Sequence, residues 1–147
     1  MTAGSPTEPD ETPQELMETI DAVGCARLLA AVDVGRLAVV VEGRPRIVVL
    51  NYLLDGDHLL FRTREDAAIS RLTEGGGTLD AEFEVDSAFP VAQSGWSVIA
   101  SGTLSREDDP ARQAAARAVV RAWAQGRRDI VLRLAVSELS GRRVGSL

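Results

Sequence analysis

The stretch Val34–Thr63, VGRLAVVVEGRPRIVVLNYLLDGDHLLFRT, decides the fold because it combines strand-like apolar runs with two turn signals. Runs rich in Val, Ile and Leu surround Gly43-Arg44-Pro45, a sequence typical of a turn. A second turn is predicted at Asp55-Gly56-Asp57, because glycine tolerates the positive φ that tight hairpin loops require. The stretch therefore predicts three antiparallel neighbouring strands, which are Val34–Glu42, Arg46–Leu54 and His58–Phe61.

Two later segments show the alternation of a strand that is buried on one face only. From Leu79 to Asp86, within a strand predicted over Thr78–Asp86, apolar and acidic residues alternate without interruption. Gly95–Arg106 alternates over a length that is unusual for a small flat sheet and favours a strand that curls around a barrel. A last strand is predicted over Asp129–Val136.

Helix signals fall between these strands. Asp21 precedes an amphipathic segment that ends near Ala31, and a second helix is predicted between Arg64 and the glycine run that begins at Gly75. Asp109-Pro110 opens a third helix with an N-cap carboxylate and a first-turn proline, and Gly126 closes it. Six strands and three helices predict a mainly β fold, a small antiparallel barrel with helical additions.

Length and composition bound the organisation of the chain. Its 147 residues, 45% of them hydrophobic, suffice for one domain with one core. Residues 1–15 are rich in Pro, Thr and acidic residues, which predicts a disordered acidic tail before a domain over 16–147. The four acidic residues of the tail, out of 22 in the chain, leave 18 acidic against 16 basic residues, so the domain is nearly neutral.

The same composition excludes several classes of function. A net charge of −6 and the lack of a basic stripe argue against nucleic-acid binding. No segment reads as a signal peptide or a membrane span, so the cytoplasm is the expected location. The single cysteine, Cys25, excludes an intrachain disulfide and is expected to be a small buried residue on a helix. All sixteen basic residues are arginine, so an anion would be bound by guanidinium groups or backbone N–H groups.

Arg62-Thr63-Arg64 lies at the junction between a predicted strand and a predicted helix. A helix start offers free N–H donors to an anion, and the arginines and the threonine add further donors. The cluster is therefore a candidate phosphate site, although a strand end followed by solvated charges would have the same sequence.

The order of these segments resembles one family. VGRLAVVVEGRPRIVVLNYLLDGDHLLFRT, a helix, EFEVD, SGWSVIASG, GRRDIVLRL and SGRRV follow one another as in the pyridoxamine 5′-phosphate oxidase-like flavin-binding family, in its small actinobacterial branch. The resemblance covers about residues 20–145. It implies a six-stranded antiparallel split β-barrel of the FMN-binding type, with Greek-key connections.

The resemblance also implies a homodimer that binds FMN, or in some branches a deazaflavin cofactor, in grooves between the subunits. A six-stranded barrel is too narrow to hold a tricyclic ring inside, which agrees with an external groove. The strand Arg46–Asn51 would lie along the ring, and Gln93 to Trp96 would approach from the second subunit. The residues predicted to contact the cofactor are Val48, Val49, Leu50, Asn51, Arg62, Thr63, Arg64, Arg71, Gln93, Ser94 and Trp96; no catalytic residue and no metal ligand is assigned.

One position departs from the family pattern. Relatives commonly carry a lysine that touches the phosphate, and Ala68 stands at the corresponding position; Arg71, three residues later on the same helical face, is a candidate replacement. Two functional hypotheses follow. The chain is a flavin-dependent oxidoreductase that passes hydride between FMN and a small organic substrate, or it is a non-catalytic dimeric module that binds a flavin or deazaflavin weakly or not at all.

Other polar or aromatic residues allow two interpretations each. Trp96 lies on the apolar face of its strand and fits the core as well as a cofactor or dimer contact. His58, the only histidine, fits an exposed turn better than a catalytic role because it has no evident partner. Glu82 and Glu84 fit a solvated or dimer-facing strand face, or else an acid and base pair or a metal site.

Overall fold

A computed structural model describes residues 17–121 and 130–145, except for the side chains of residues 89 and 90. Its strands are β1 (Glu18–Ile20), β2 (Val34–Val41), β3 (Arg44–Asp55), β4 (His58–Thr63), β5 (Leu79–Phe89), β6 (Ser94–Arg106) and β7 (Ile130–Val144). Its α-helices are α1 (Ala22–Ala31), α2 (Ala68–Leu72) and α3 (Pro110–Val119), and short 3-10 turns cover Glu74–Gly76 and Pro90–Ala92. The predicted tail, residues 1–15, and Gly126 lie outside the described residues, and α3 ends at Val119, before the predicted end at Gly126.

The strands form one antiparallel sheet that closes on itself. Its order is β1-β7-β4-β3-β2-β5-β6, and β6 also pairs with β7. The predicted fold class is therefore confirmed: β2 to β7 close a six-stranded barrel, and the three-residue β1 is an unpredicted seventh strand on the edge of β7. Because β2, β3 and β4 are consecutive neighbours and β5 returns beside β2, the connection is a Greek key.

The described apolar side chains form two clusters. The larger fills the barrel and includes Leu37, Phe61 and Phe83, none of which is exposed. The smaller lies outside the barrel, where Ala116 and Val120 at the end of α3 pack on Leu60 and Val131 of the strands beneath. The second cluster positions the end of α3 beside β4, which matters for the groove described below.

The first hairpin turn lies one residue earlier than the sequence predicts. Glu42 and Gly43 have φ of 52° and 73°, so they form the two-residue loop, and β3 begins at Arg44. Two-residue hairpin loops of this kind need positive φ at both central positions to match the twist of the strands, and Glu42 adopts a positive φ beside Gly43. The second turn, which includes Gly56 with φ of 63°, lies where it is predicted.

The last strand is much longer than predicted, since β7 continues from Val136 to Val144. Its second half, VSELSGRRV, is mostly polar because it pairs with β6 and β1 along the rim of the barrel, so it lacks the alternation of a half-buried strand. A register shift between Ser101 and Gly102 of β6 accommodates an extra residue on β7.

The helices begin at the predicted caps. The Asp21 carboxylate accepts a hydrogen bond from the Gly24 N–H at 2.7 Å, and the Asp109 carboxylate accepts one from the Ala111 N–H at 3.4 Å. Cys25 is buried on α1, as predicted, and burial raises the pKa of its thiol. In the described part of the chain, no helix has the length and apolar character needed to cross a bilayer.

Candidate functional site

A groove opens where β3 and β4 separate. The two strands pair only between Tyr52–Asp55 and His58–Phe61, and among the described residues the earlier part of β3 pairs with β2 alone. The groove has a volume of about 520 Å³, within the range of roughly 300–1,000 Å³ that small-molecule sites occupy. Its lining comes from β2 (Val34, Val41), β3 (Arg46 to Asn51), β4 (Arg62, Thr63), α2 and the residue before it (Ala67 to Ile69), and the end of α3 (Val120, Arg121).

The edge of β3 offers backbone hydrogen-bonding groups to this groove. The Tyr52 N–H donates to the Asp33 carbonyl at 3.1 Å, so the backbone groups of Tyr52 point toward β2. Because these groups alternate along an antiparallel strand, those of Ile47, Val49 and Asn51 point the opposite way, into the groove. A planar ligand with donors and acceptors on one edge can therefore pair with β3 as a neighbouring strand would.

The polar side chains of the groove are concentrated at one end. Tyr52 pairs with Phe61, so Asn51 and Arg62 are the next opposing positions where the strands part. Arg62 is partly buried and its Nη1 donates to the Val120 carbonyl at 3.2 Å, while Thr63 beside it is only 3% exposed. The predicted site residues Val48, Val49, Leu50, Asn51, Arg62 and Thr63 are thus brought together in the groove lining.

The groove carries positive charge in an acidic protein. Arg46, Arg62 and Arg121 are among the described residues that line it, and none of those residues is acidic. The sequence does not predict Arg121 as a site residue, because its position on the predicted helix indicates only a solvent-exposed face. The bond from Arg62 to the last turn of α3 explains its placement, because it holds residues 120 and 121 against the groove.

Arg64 and Arg71 have other partners. The Arg64 Nε and Nη2 atoms donate to the Asp66 carboxylate at 2.8 and 2.9 Å, and this pairing holds the pKa of Asp66 below its ordinary value. Arg71 Nη1 donates to the Asp66 carbonyl at 2.6 Å. Neither arginine is among the described residues that line the groove. Their predicted contact with a phosphate would require these bonds to rearrange, and it stays a prediction.

The wall opposite β3 is made by α2 and the residue before it. The helix is only five residues long and starts at Ala68, the position at which the family pattern places a lysine. Its first N–H groups have no acceptor within the helix, as at any helix start, but so short a helix has a small dipole. Ala68 therefore leaves this wall without a positive side chain of its own.

Gln93, Ser94 and Trp96 lie away from the groove. Gln93 has φ of 47° at the turn before β6, and Ser94 and Trp96 line a separate depression of about 260 Å³ with Met17 and Arg142. Trp96 also packs against the edge of the barrel core. Contact of these residues with a cofactor depends on a second subunit and stays a prediction.

The acidic face of β5 forms ion pairs with a neighbouring strand. Arg36 of β2 contacts Glu84 at 3.2 Å and Asp86 at 3.1 Å, while Glu82 accepts a hydrogen bond from Ser101. Desolvation and the nearby Asp86 raise the pKa of Glu84, against the opposing effect of Arg36. Within residues 17–121 and 130–145 no group of three or more His, Cys, Asp or Glu side chains is placed to hold a metal ion.

Comparison with known proteins identifies the family. Residues 21–143 match the family model described as pyridoxamine 5′-phosphate oxidase. An uncharacterized protein of Mycobacterium tuberculosis, Rv0080, is 29% identical in an alignment that covers 98% of this chain and 95% of that protein.

Two solved structures share the fold. The FAD binding protein of Mycobacterium smegmatis has a TM-score of 0.71 and 26% identity over 87% of this chain and 98% of its own. A Mesorhizobium loti FAD-binding protein has a TM-score of 0.72 at 22% identity over 90% of this chain and 100% of its own. With the family model matching most of its length, the chain belongs to the pyridoxamine 5′-phosphate oxidase family.

Proposed function

We propose that the protein is a flavin-dependent oxidoreductase that binds FMN in the groove between β3 and α2 and works as a cytoplasmic homodimer. The observation that carries the proposal is the edge of β3 before Tyr52, which no described strand covers on the groove side, together with Arg62 and Thr63 beside it. A flavin needs such a pair of features, since its ring has a hydrogen-bonding edge and its side chain ends in a phosphate.

The residues of the groove fit such a ligand. The backbone groups of Ile47, Val49 and Asn51 match the alternating acceptors and donors along the pyrimidine edge of the ring. Arg62 and Thr63 supply a guanidinium and a hydroxyl at one end of that edge, and a charge-assisted hydrogen bond is about twice as strong as a neutral one. The absence of acidic side chains from the described lining leaves no charge there that would repel a phosphate.

The comparisons support a flavin more directly than they support FMN. The Mycobacterium smegmatis relative, at 26% identity, is described as an FAD binding protein. Both cofactors have the same ring and the same first phosphate, so the contacts proposed here apply to both. FAD therefore belongs beside FMN in any binding experiment.

Exposed apolar side chains support a dimer. Ile47 and Val49, on the outer face of β3, are 73% and 66% exposed, and Val40 of the adjacent β2 is 60% exposed. Patches of this kind on a small protein commonly mark an interface, and a second copy across them would close the open side of the groove. The subunit that closes it would bring Gln93 to Trp96 toward the ligand, as the family resemblance implies.

The protein itself would position and polarise the bound flavin. When bound, FMN supplies the hydride chemistry, and the described lining contains no carboxylate or imidazole that could serve as acid or base. The backbone of β3 would orient the ring, Arg62 and Thr63 would hold the phosphate, and Ile47 and Val49 would exclude water from the ring face.

A second candidate is a non-catalytic module that binds a flavin or deazaflavin weakly. Ala68 replaces the lysine of the family pattern, and the Arg64 guanidinium is bound to Asp66. A charge-assisted hydrogen bond contributes about 1.5–3 kcal/mol, so one lost contact lowers affinity roughly ten- to a hundredfold. The two candidates therefore differ in how tightly the phosphate is held.

Titration separates the candidates. Purified protein is titrated with FMN, FAD and the deazaflavin cofactor while flavin or deazaflavin fluorescence is followed. Tight FMN quenching and reduction of bound FMN by a small donor support the oxidoreductase. If FMN and FAD give no quenching below about 100 μM, where binding is weaker than roughly 5–6 kcal/mol, the FMN-dependent enzyme is refuted. Binding of the deazaflavin alone would then favour the second candidate.

A further inference from the structure

Arg106, near the end of β6, holds α2 through Ser70, which lies outside the described groove lining. Its Nη2 donates to the Ser70 carbonyl at 3.1 Å and lies 3.0 Å from the Ser70 hydroxyl, and it pairs with Glu74 at 3.6 Å. Ser70 is fully buried, and the Arg106 side chain is 26% exposed. The contact is therefore an internal one between the barrel and the helix.

A helix as short as α2 needs such an anchor. Five residues form too few backbone hydrogen bonds to be stable alone, so the position of α2 depends on tertiary contacts. The Ser70 carbonyl accepts from the Thr73 hydroxyl at 2.9 Å as well as from Arg106. These contacts fix the C-terminal half of the helix, and the buried side chain of Ile69 packs the N-terminal half against the core of the barrel.

The other half of α2 forms the wall of the groove. Ala67, Ala68 and Ile69 line it, and Ile69 is the immediate neighbour of Ser70. We propose that Arg106 is a positioning residue: by holding Ser70 it sets the distance between α2 and the Arg62-Thr63 end of the groove. The inference rests on the proposed function, because the ligand portion concerned is the flavin phosphate.

Arg133 of β7 provides a matched control. Its side chain is 31% exposed, and like Arg106 it has a buried Nε without a hydrogen-bond partner among the described residues. Its described contacts are with Ser105 and Glu107, and none is with α2. A general loss of stability would follow from removing either arginine, whereas a displaced α2 would follow only from removing Arg106.

The test compares Arg106→Met with Arg133→Met in two measurements. Amide hydrogen exchange of Ala68–Leu72 without ligand should accelerate in Arg106→Met only. Affinity for FMN should fall about tenfold in that variant while riboflavin affinity changes less than about twofold, because displacement of α2 would alter only the phosphate end of the groove. Equal exchange in the two variants, or an unchanged ratio of FMN to riboflavin affinity in folded Arg106→Met, overturns the proposal.

Two further outcomes keep the proposal separate from the proposed function. If Arg106→Met does not fold, Ser70→Ala, which removes only the hydroxyl partner, should still shift the affinity ratio by about threefold, and no shift overturns the positioning role. If the wild-type protein binds no flavin, the proposed function fails. Exchange in α2 would still decide whether Arg106 anchors the helix.

Discussion

Replacing Arg62 by alanine is expected to weaken the binding of phosphate-bearing flavins while leaving riboflavin nearly unaffected. The guanidinium lies at the end of the groove beside Thr63, in a described lining that also contains Arg46 and Arg121. Riboflavin has the same ring but no phosphate. It would therefore keep the contacts with the edge of β3 and lose none that Arg62 provides.

The size of the effect follows from the kind of bond removed. One charge-assisted hydrogen bond contributes about 1.5–3 kcal/mol, so FMN affinity should fall roughly ten- to a hundredfold. The variant also loses the bond from Arg62 to the Val120 carbonyl, which should cost about 1 kcal/mol of folding stability. In a domain of this size that corresponds to a melting temperature lower by about 2–4 °C.

Fluorescence titration of the wild type and the variant with FMN and riboflavin measures both affinities. Arg27→Ala is the control: it removes an exposed arginine of α1 outside the described groove lining, so FMN affinity should change less than about threefold. Equal weakening of FMN and riboflavin by Arg62→Ala would refute the reasoning, because Arg62 would then shape the groove rather than hold the phosphate.

Three other predictions address stability and assembly. Gly35→Ala should lower the free energy of unfolding by about 1–3 kcal/mol, because the new Cβ would lie 2.6 Å from the Glu84 carbonyl oxygen and against Phe83. A variant as stable as the wild type in chemical unfolding would show that β2 can shift. Burial and Asp86 raise the pKa of Glu84, so the folded state binds more protons and stability falls as pH rises above about 4.5. The urea midpoint of Glu84→Gln, measured relative to that of the wild type, should therefore rise from about pH 4 to about pH 7. A difference in midpoint that does not change with pH would contradict this. Ile47→Arg should convert the proposed dimer to a monomer in sedimentation, and an unchanged mass would place the interface elsewhere.

Local signals made much of the fold predictable. The alternation from Leu79 to Asp86, the caps at Asp21 and Asp109 and the turn glycines act within a few residues, so the sequence reveals them directly. The site residues Val48 to Asn51 were predicted through the family resemblance alone, whereas the strand-to-helix junction at Arg62 and Thr63 was itself a local signal.

Features that depend on distant partners were not predictable in this way. The sequence of β3 does not indicate that its pairing with β4 is confined to Tyr52–Asp55, because the pairing depends on the three-dimensional course of both strands. Arg121 reaches the groove because Val120 packs on Leu60 and accepts the hydrogen bond from Arg62, and no local sequence pattern indicates these contacts. The second half of β7 was not predicted, because its side chains do not alternate between apolar and polar. Its strand conformation is fixed instead by hydrogen bonds to neighbouring strands such as β6.

If a flavin pairs with the edge of β3 that no described strand covers, residue-resolved amide hydrogen exchange will detect this pairing. On addition of FMN, the amides of Ile47, Val49 and Asn51, which point into the groove, should exchange more slowly. Those of Val48 and Leu50, which point toward β2, should change little and serve as an internal control. Protection of the first set alone is the predicted result. If FMN binds and leaves Ile47, Val49 and Asn51 unprotected, the flavin lies elsewhere and the account is wrong.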